Sequence, residues 1–433
     1  MSSTAPDFSV AALLSKLTTR MSEVEAEATG FNKLFRQLRQ KEMKHALDAS
    51  LSTKIARANY ERNRYTDVHP GSTGTQTAPQ GAQGTPPGPA PSDYINASFV
   101  TAARGLRRYV VSQGPLPATA RDFWHMVWQE ASPAVVMLNQ CMEKLPTRPG
   151  APPTENCARG AVIKCHQYFP TTQTAHHLNL GIYDVHLVEE EFVGGIATSR
   201  QQQQQQPTTD KDRQPVVQNG SGNTVATASP EDVALYVRRK LRLTKTCRDR
   251  GGEREIYHFQ LISWPDFGVL DQLDDFLKFL LAVERADVLD ITKYGPCVVH
   301  CSAGIGRSGT FCLVDSILKM VRERLDLSDL DLETYLLDLR SQRMGLVQTP
   351  DQLKFAWSAI VKALSDEKWA ELVRYSSGDQ WGGGRLPNAT VATPQSPLKR
   401  QPPTGEDRSS PKRVKSDENL ISFEEQTQSG SSC

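Results

Sequence analysis

The chain has 433 residues and a formal net charge of +1, so no bulk field singles out nucleic acid or membrane as its main partner. Its Pro, Gly, Gln and Ser are concentrated in a few stretches, which predicts one large domain with disordered additions. Neither the N-terminal "MSSTAPDFSVAALLSKL" nor any later stretch has the pattern of a leader or a membrane span, so a soluble, unsecreted chain without a membrane anchor is expected.

In chain order, Phe8, Ala11, Leu14 and Leu17, then Phe31, Leu34, Phe35 and Leu38, are spaced as two apolar helix faces. Residues 71–92, "GSTGTQTAPQGAQGTPPGPAPS", lack aromatic, charged and aliphatic side chains and read as a flexible loop. Its Pro86 to Pro89 is a weak SH3-type ligand motif. Two similar interruptions follow, at about 145–160 and, bearing a polyglutamine run, at about 197–230.

Between them "AVVMLN", "VALYVRRKLRLTK", "EIYHFQLISW" and "GPCVVH" read as strands. "GTFCLVDSILKMVRERL", "LETYLLDLRSQ" and "DQLKFAWSAIVKAL" read as helices. From Tyr375 onward no periodic apolar face recurs apart from "NLISF", which predicts a tail. The eight cysteines include no CxxC pair, which suits reduced thiols in an intracellular protein and no metal site.

"VVHCSAGIGRSGTF", Val298 to Phe311, runs a strand into a glycine loop and then a helix. A dinucleotide fingerprint would place its first glycine directly after the strand, but Cys301-Ser302-Ala303 intervene. A P-loop needs a lysine after its last glycine, and Gly309 is followed by Thr310. Taken as Cys301-x5-Arg307, the stretch makes chemical sense: successive backbone N–H groups at a helix N-terminus form an oxyanion nest, and an arginine fork closes it. A cysteine on the floor of such a nest is favoured as thiolate and becomes a nucleophile aimed at phosphorus. For a lone cysteine the alternative is a buried small hydrophobe.

"VHCSAGIGRSGTF" resembles the signature of the protein tyrosine phosphatases. "NRYTDV", "DYINAS", "SQGPLPATARDFWHMVW", "WPDFG" and "QTPDQ" agree in order, and "VVMLNQCMEK" and "RMGLVQTPDQLKF" are most similar to the non-receptor 1B and T-cell subfamily. The resemblance implies an α/β fold: one catalytic domain with a highly twisted mixed sheet flanked by helices and a phosphate-binding loop between a strand and a helix. It sets the domain at residues 30–372, after a helical or flexible segment 1–29 and before a regulatory tail 373–433.

By the same resemblance Cys301 is the nucleophile, and Arg307 with the loop from Ser302 through Ala303, Gly304, Ile305 and Gly306 binds phosphate. Ser308 eases departure of the sulfur, Asp266 is general acid and then base, and Trp264 hinges its loop beside Phe267. Gln348, with Gln352, positions the hydrolytic water. Tyr65 and Asp67 receive the substrate tyrosine and its peptide, Glu143 orients Arg307, and Lys144 or Lys164 is the lysine near the acid loop. Arg39 and Arg340, with Gly345 leaving room, suggest a secondary phosphotyrosine site. No metal or cofactor is implied, His300 is a structural neighbour rather than a base, and the nucleophile is expected to be readily oxidised.

Two departures from the family pattern stand out. The edge strand that precedes "DYINAS" in the family is replaced by the loop 71–92, and the insertion after Lys144 interrupts the segment that carries Glu143. A catalytically weak phosphotyrosine-binding scaffold is therefore the alternative, and a dual-specificity phosphatase with a shallow pocket is a third reading. In the tail, Lys399, Arg400, Lys412, Arg413 and Lys415 form two basic clusters resembling a bipartite nuclear import signal. Expected partners are phosphotyrosine proteins and nuclear import receptors, for a monomer of nucleus and cytoplasm.

Overall fold

A computed structural model describes residues 10–48, 53–70, 74–76, 94–144, 161–194, 234–246, 251–265 and 268–374. The Pro86 to Pro89 motif, the polyglutamine run, Asp266, Phe267 and the basic clusters at Lys399, Arg400, Lys412, Arg413 and Lys415 lie outside the described residues.

Among the described residues nine strands form one mixed sheet, in the order β1 (Gly74–Gln76), β2 (Tyr94–Ala102), β3 (Arg107–Ser112), β11 (Cys297–His300), β4 (Ala134–Met137), β10 (Gly252–Leu261), β9 (Ala234–Lys245), β8 (Tyr183–Gly194) and β7 (His177–Asn179). The centre is parallel: β11 pairs in parallel with β3 and β4, and β4 with β10. Both flanks are antiparallel. A second small sheet joins β5 (Met142–Lys144) to β6 (Ala161–Ile163), so the insertion after Lys144 departs from between two paired strands.

Central strands of a parallel sheet are covered on both faces and read as continuous apolar runs. In β11, Val299 packs into a first core with Phe311, Phe276 and Trp357, while its neighbour Val298 packs into a second core on the opposite face with Phe123, Trp124 and Tyr168. Alternation of side chains across the pleat explains why one four-residue strand anchors two cores.

The first core is covered by α1 (Val10–Ala26), α2 (Gly30–Asp48), α5 (Leu273–Arg285), α6 (Gly306–Arg322), α7 (Leu332–Gln342) and α8 (Pro350–Ser365). The second is covered by α4 (Ala120–Gln129), after the short α3 (Lys54–Ala58); α9 (Ala370–Val373) closes the described chain. Leu13, Leu17 and Val24 of α1 are buried in the first core, and Trp357 Nε1 donates to the Leu17 carbonyl at 3.1 Å. The first helix is thus packed into the domain.

One expectation is corrected. The open edge of β2 is paired by Gly74–Gln76, antiparallel, with Gly74 opposite Ser98 and Gln76 opposite Tyr94. An edge strand is therefore present where the loop composition indicated none. The ladder of β2 supplies the partners, and local propensity is a weak guide when an unpaired edge is at hand.

Candidate active site

β11 ends at His300, and Cys301 to Ile305 curl before α6 begins at Gly306. Every carbonyl of the curl accepts a bond from outside it. His300 Nδ1 reaches the Cys301 carbonyl at 3.0 Å and the Gly114 amide reaches that of Ser302 at 2.9 Å. Arg343 donates to the carbonyls of Ala303 (3.2 Å) and Gly304 (2.7 Å), and the amides of Gly309 and Val347 each donate to Ile305 at 3.0 Å.

In a trans peptide the carbonyl and the next N–H point in opposite directions. Five carbonyls fastened outward therefore turn the N–H groups of Ser302 to Gly306 toward the concave side. Gly304 is required for this path: its φ is +69°, and a Cβ there would lie 2.0 Å from the Ser112 carbonyl oxygen.

Arg307, in the first turn of α6, is 5% exposed. Its guanidinium is forked onto Glu143, Nη1 to Oε1 at 2.6 Å and Nη2 to Oε2 at 3.0 Å, and Nη1 also meets the Leu138 carbonyl at 3.1 Å. Two charges buried together in a bidentate fork have one geometry open to them. Glu143 sits on β5 and Leu138 follows β4, so the small sheet positions the guanidinium at the mouth of the nest.

Cys301 lies 5% exposed on the floor of a cleft of about 750 Å³. Tyr65, Asp67, Lys164, Gln348 and Gln352 line it, with Ser302, Ala303, Ile305, Gly306 and Arg307 of the curl. Tyr65 stands on the wall, its hydroxyl 2.8 Å from Ser302 Oγ, which donates to the Lys164 carbonyl at 2.8 Å. Of the two lysines considered, Lys164 lines the cleft; Lys144 is the last residue of β5.

The two glutamines lie over the start of α6. A Cβ on Gly306 would sit 2.9 Å from Gln352 Oε1 and 3.1 Å from Gln348 Oε1. Thr349 caps α8 by accepting from the Gln352 amide at 3.1 Å, and Gln352 Oε1 accepts from the Gln348 amide at 2.9 Å. Ser308 is fully buried, and among the described residues its hydroxyl has no hydrogen-bond partner.

Trp264 anchors the segment that leads to Asp266. It is 1% exposed, its ring centroid 5.7 Å from that of Phe276 and 5.5 Å from that of Phe355, and its Nε1 donates to the Gly268 carbonyl at 3.4 Å.

Arg39 and Arg340 both line the cleft, but their states differ. Arg340 is 2% exposed and donates to the carbonyls of Leu346 (2.8 Å) and Val347 (2.7 Å) and to Glu42 Oε2 (3.2 Å). The other Glu42 oxygen accepts from the Gly345 amide at 2.7 Å. A carboxylate of α2 thus occupies the donors of Arg340 and Gly345.

Several supporting residues stand inside the motifs "RMGLVQTPDQLKF" and "SQGPLPATARDFWHMVW" but were given no role of their own from the sequence. Arg343 is 1% exposed and joins the nest to β2 through Asn96 Oδ1 (3.0 Å) and Ser98 Oγ (3.3 Å); burial lowers its pKa to about 10. Gln113 fixes the substrate-side loop by accepting from the Arg64 amide (2.8 Å) and donating to the Arg62 carbonyl (2.8 Å).

Behind Cys301 runs a buried chain of donors. Arg239 meets His258 Nδ1 at 3.3 Å, His258 Nε2 meets the Tyr168 hydroxyl at 3.0 Å, and that hydroxyl meets His300 Nε2 at 2.6 Å. One assignment satisfies every link: neutral His258 donates from Nε2, Tyr168 donates to His300, and neutral His300 donates from Nδ1 to the Cys301 carbonyl.

Burial lowers the pKa of His300 from 6.5 to about 4 and that of His258 well below 6.5, each fully buried. The unfolded chain binds these protons more readily, so the stability contributed by neutral burial is present above about pH 6.5 and is lost as the pH falls toward 4. For His300 alone the loss is roughly 3 kcal/mol. Urea unfolding at several pH values should show it; equal stability at neutral pH and near pH 4.5 would contradict the assignment.

The family model described as protein-tyrosine phosphatase matches residues 59–219 and 209–362. The chain belongs to the protein-tyrosine phosphatase family. It is 34% identical over 322 residues, 72% of this chain and 60% of the relative, to tyrosine-protein phosphatase non-receptor type 2 of Homo sapiens. It is 34% identical over 315 residues to non-receptor type 61F of Drosophila melanogaster, covering 73% of this chain and 45% of the relative. A receptor-type phosphatase F of Mus musculus is 31% identical over 272 residues, 63% of this chain and 11% of its own length. The match thus spans about three-fifths of the human relative's length, and the similarity includes the phosphatase domain around Cys301.

Among the described residues no helix is long and apolar enough to cross a membrane, and no group of three or more His, Cys, Asp or Glu is placed to hold a metal ion.

Proposed function

We propose that this chain hydrolyses phosphotyrosine in proteins through a phosphocysteine formed on Cys301. The observation that carries the reading is the nest itself: N–H groups from Ser302 to Gly306 turned inward above Cys301 and closed by an arginine forked onto Glu143. Such a site binds a tetrahedral dianion and stabilises charge on its equatorial oxygens during transfer.

The Cys301 sulfur attacks phosphorus in line with the tyrosine oxygen, whose bond to phosphorus breaks while Asp266 supplies the proton to the leaving phenolate. In the second step a water held by Gln348, with Gln352, gives its proton to Asp266 and displaces the sulfur, releasing inorganic phosphate. The partnerless Ser308 hydroxyl supports its role as donor to the departing thiolate. Closure of the segment after Trp264 excludes solvent.

Tyr65, fixed on the wall through Ser302, supports a pocket deep enough for phosphotyrosine. Asp67, at the rim of the same cleft, is assigned to the peptide backbone, and Lys164 to the acid loop. A second phosphotyrosine at Arg39 and Arg340 has to compete with the Glu42 carboxylate already bound to Arg340 and Gly345.

The assay that tests the reading compares vanadate-sensitive phosphate release from phosphotyrosine, phosphoserine and tandem phosphotyrosine peptides by the full chain and by Cys301→Ser. Phosphotyrosine is expected to turn over at least about 100-fold faster than phosphoserine. Comparable rates would indicate a shallow dual-specificity pocket, and binding without turnover a scaffold. Tandem peptides should gain little over single ones while Glu42 is present.

In a cell the proposed role is to oppose tyrosine kinases as a monomer acting on their phosphorylated targets. The basic clusters at Lys399, Arg400, Lys412, Arg413 and Lys415 support recognition by import receptors and residence in nucleus and cytoplasm. Residues 373–433 fused to a fluorescent protein should enter the nucleus; exclusion would remove this part of the proposal.

A further inference from the structure

The hairpin that orients Arg307 carries a pair of cysteines that the phosphatase mechanism does not use. Cys141 precedes β5 by one residue and Cys165 follows β6 by two. The Cys141 carbonyl accepts from both the Lys164 amide (2.8 Å) and the Cys165 amide (3.2 Å), which ties the two residues together at the base of the hairpin. Backbones joined in this way fall within the roughly 4.4–6.8 Å Cα separation that a disulfide spans.

The two thiols are unequal. Cys141 is partly exposed, whereas Cys165 is 1% exposed. The Cys165 thiol donates to the His166 carbonyl at 3.2 Å; its nearness to the Cys141 sulfur lowers the Cys141 pKa, Arg239 and Arg64 act in the same direction, and burial opposes them. Burial pushes the Cys165 thiol up. A partly exposed thiol with a lowered pKa beside a buried thiol with a raised one is the arrangement of an attacking and a resolving cysteine.

We propose that Cys141 and Cys165 form a dithiol oxidation site, separate from Cys301, that takes a peroxide as its oxidant. The Cys141 thiolate attacks one peroxide oxygen, the O–O bond breaks, and water and a sulfenic acid result. The Cys165 sulfur then attacks the Cys141 sulfur and expels hydroxide, which leaves as water with the Cys165 proton. The sum is two thiols and one hydrogen peroxide giving one disulfide and two waters.

The position gives the bond a consequence for the nest. Glu143, which forks Arg307, lies two residues beyond Cys141, and Lys164, whose carbonyl holds Ser302 Oγ at 2.8 Å, directly precedes Cys165. A Cβ on Gly114 would lie 3.1 Å from Cys165 Sγ and 2.8 Å from the Cys301 carbonyl oxygen, so Cys165 packs close to the outer side of the nest. Drawing the two sulfurs to bonding distance shifts both supports at once, and activity falls while Cys301 stays a thiol.

The full chain and Cys301→Ser are treated with hydrogen peroxide, alkylated without reduction, digested with trypsin and read by mass spectrometry. Lys144 and Lys164 separate the two cysteines onto different peptides. Expected is a Cys141–Cys165 cross-link in both proteins, reversed by dithiothreitol and absent from Cys141→Ser and Cys141→Val. The peptide readout needs no catalysis, so its failure is distinct from failure of the phosphatase reading. A Cys165–Cys301 cross-link in its place, or Cys141 recovered unlinked after Cys301 has oxidised, overturns the proposal.

Discussion

Cys301→Ser is expected to lower kcat on a phosphotyrosine peptide by at least about four orders of magnitude, the scale on which loss of a covalent nucleophile acts. The substitution exchanges sulfur for oxygen at a residue 5% exposed, where the carbonyl is held by His300 and the next by Gly114. None of those bonds involves the thiol. The inward N–H groups and the Arg307–Glu143 fork therefore persist, and phosphopeptide affinity should stay within several-fold of wild type. Steady-state kinetics paired with calorimetric binding separates the two quantities. Residual kcat within tenfold of wild type would place the nucleophile elsewhere, and loss of binding would show that the nest had collapsed.

Arg307→Lys carries the second largest expected effect, a fall in kcat of about 10³-fold with a melting temperature lowered by several degrees. A lysine retains the charge but presents a single ammonium in place of a planar fork. It cannot meet Glu143 Oε1 and Oε2 and two phosphate oxygens together, so one buried acceptor goes unmatched. Removing one preorganised donor at a site of charge development typically costs about 10²–10³ in kcat, and here two are lost. Thermal unfolding checks that the fold survives, and a kcat within tenfold of wild type at unchanged stability would show that the fork is dispensable.

Two legible parts of the site are local, whereas Tyr65, Asp67, Lys164 and Glu143 come from distant segments and were named through the family resemblance alone. Cys301 to Arg307 is a single continuous segment whose spacing carries its own geometry, and Gln348 and Gln352 are set by one helix start. What escaped notice is assembled from afar. Arg343 lies 39 positions from Gly304 and takes its meaning only when α7 ends against the nest. Arg239, His258, Tyr168 and His300 stand on or beside different strands and become a chain of donors through sheet order alone. The edge strand at Gly74 was hidden for the opposite reason: its text suits a loop, and the pairing is supplied by β2. Glu42 reads as one more charge on a helix surface until α2 brings it to Arg340.

The fastening of the five carbonyls bears on how the site fails. Its anchors sit on the strand end at His300, the turn at Gly114, the segment around Arg343 to Val347 and the first turn of α6. The Arg343 to Val347 segment supplies three of the six bonds, to Ala303, Gly304 and Ile305, and the other three come from three separate places. Opening the nest thus requires loosening several parts of the domain together, so it should share the protection of the core in hydrogen exchange, where loops on their own exchange readily. Damage to the domain far from Cys301 would accordingly appear first as a nest of the wrong shape, with Cys301 itself intact.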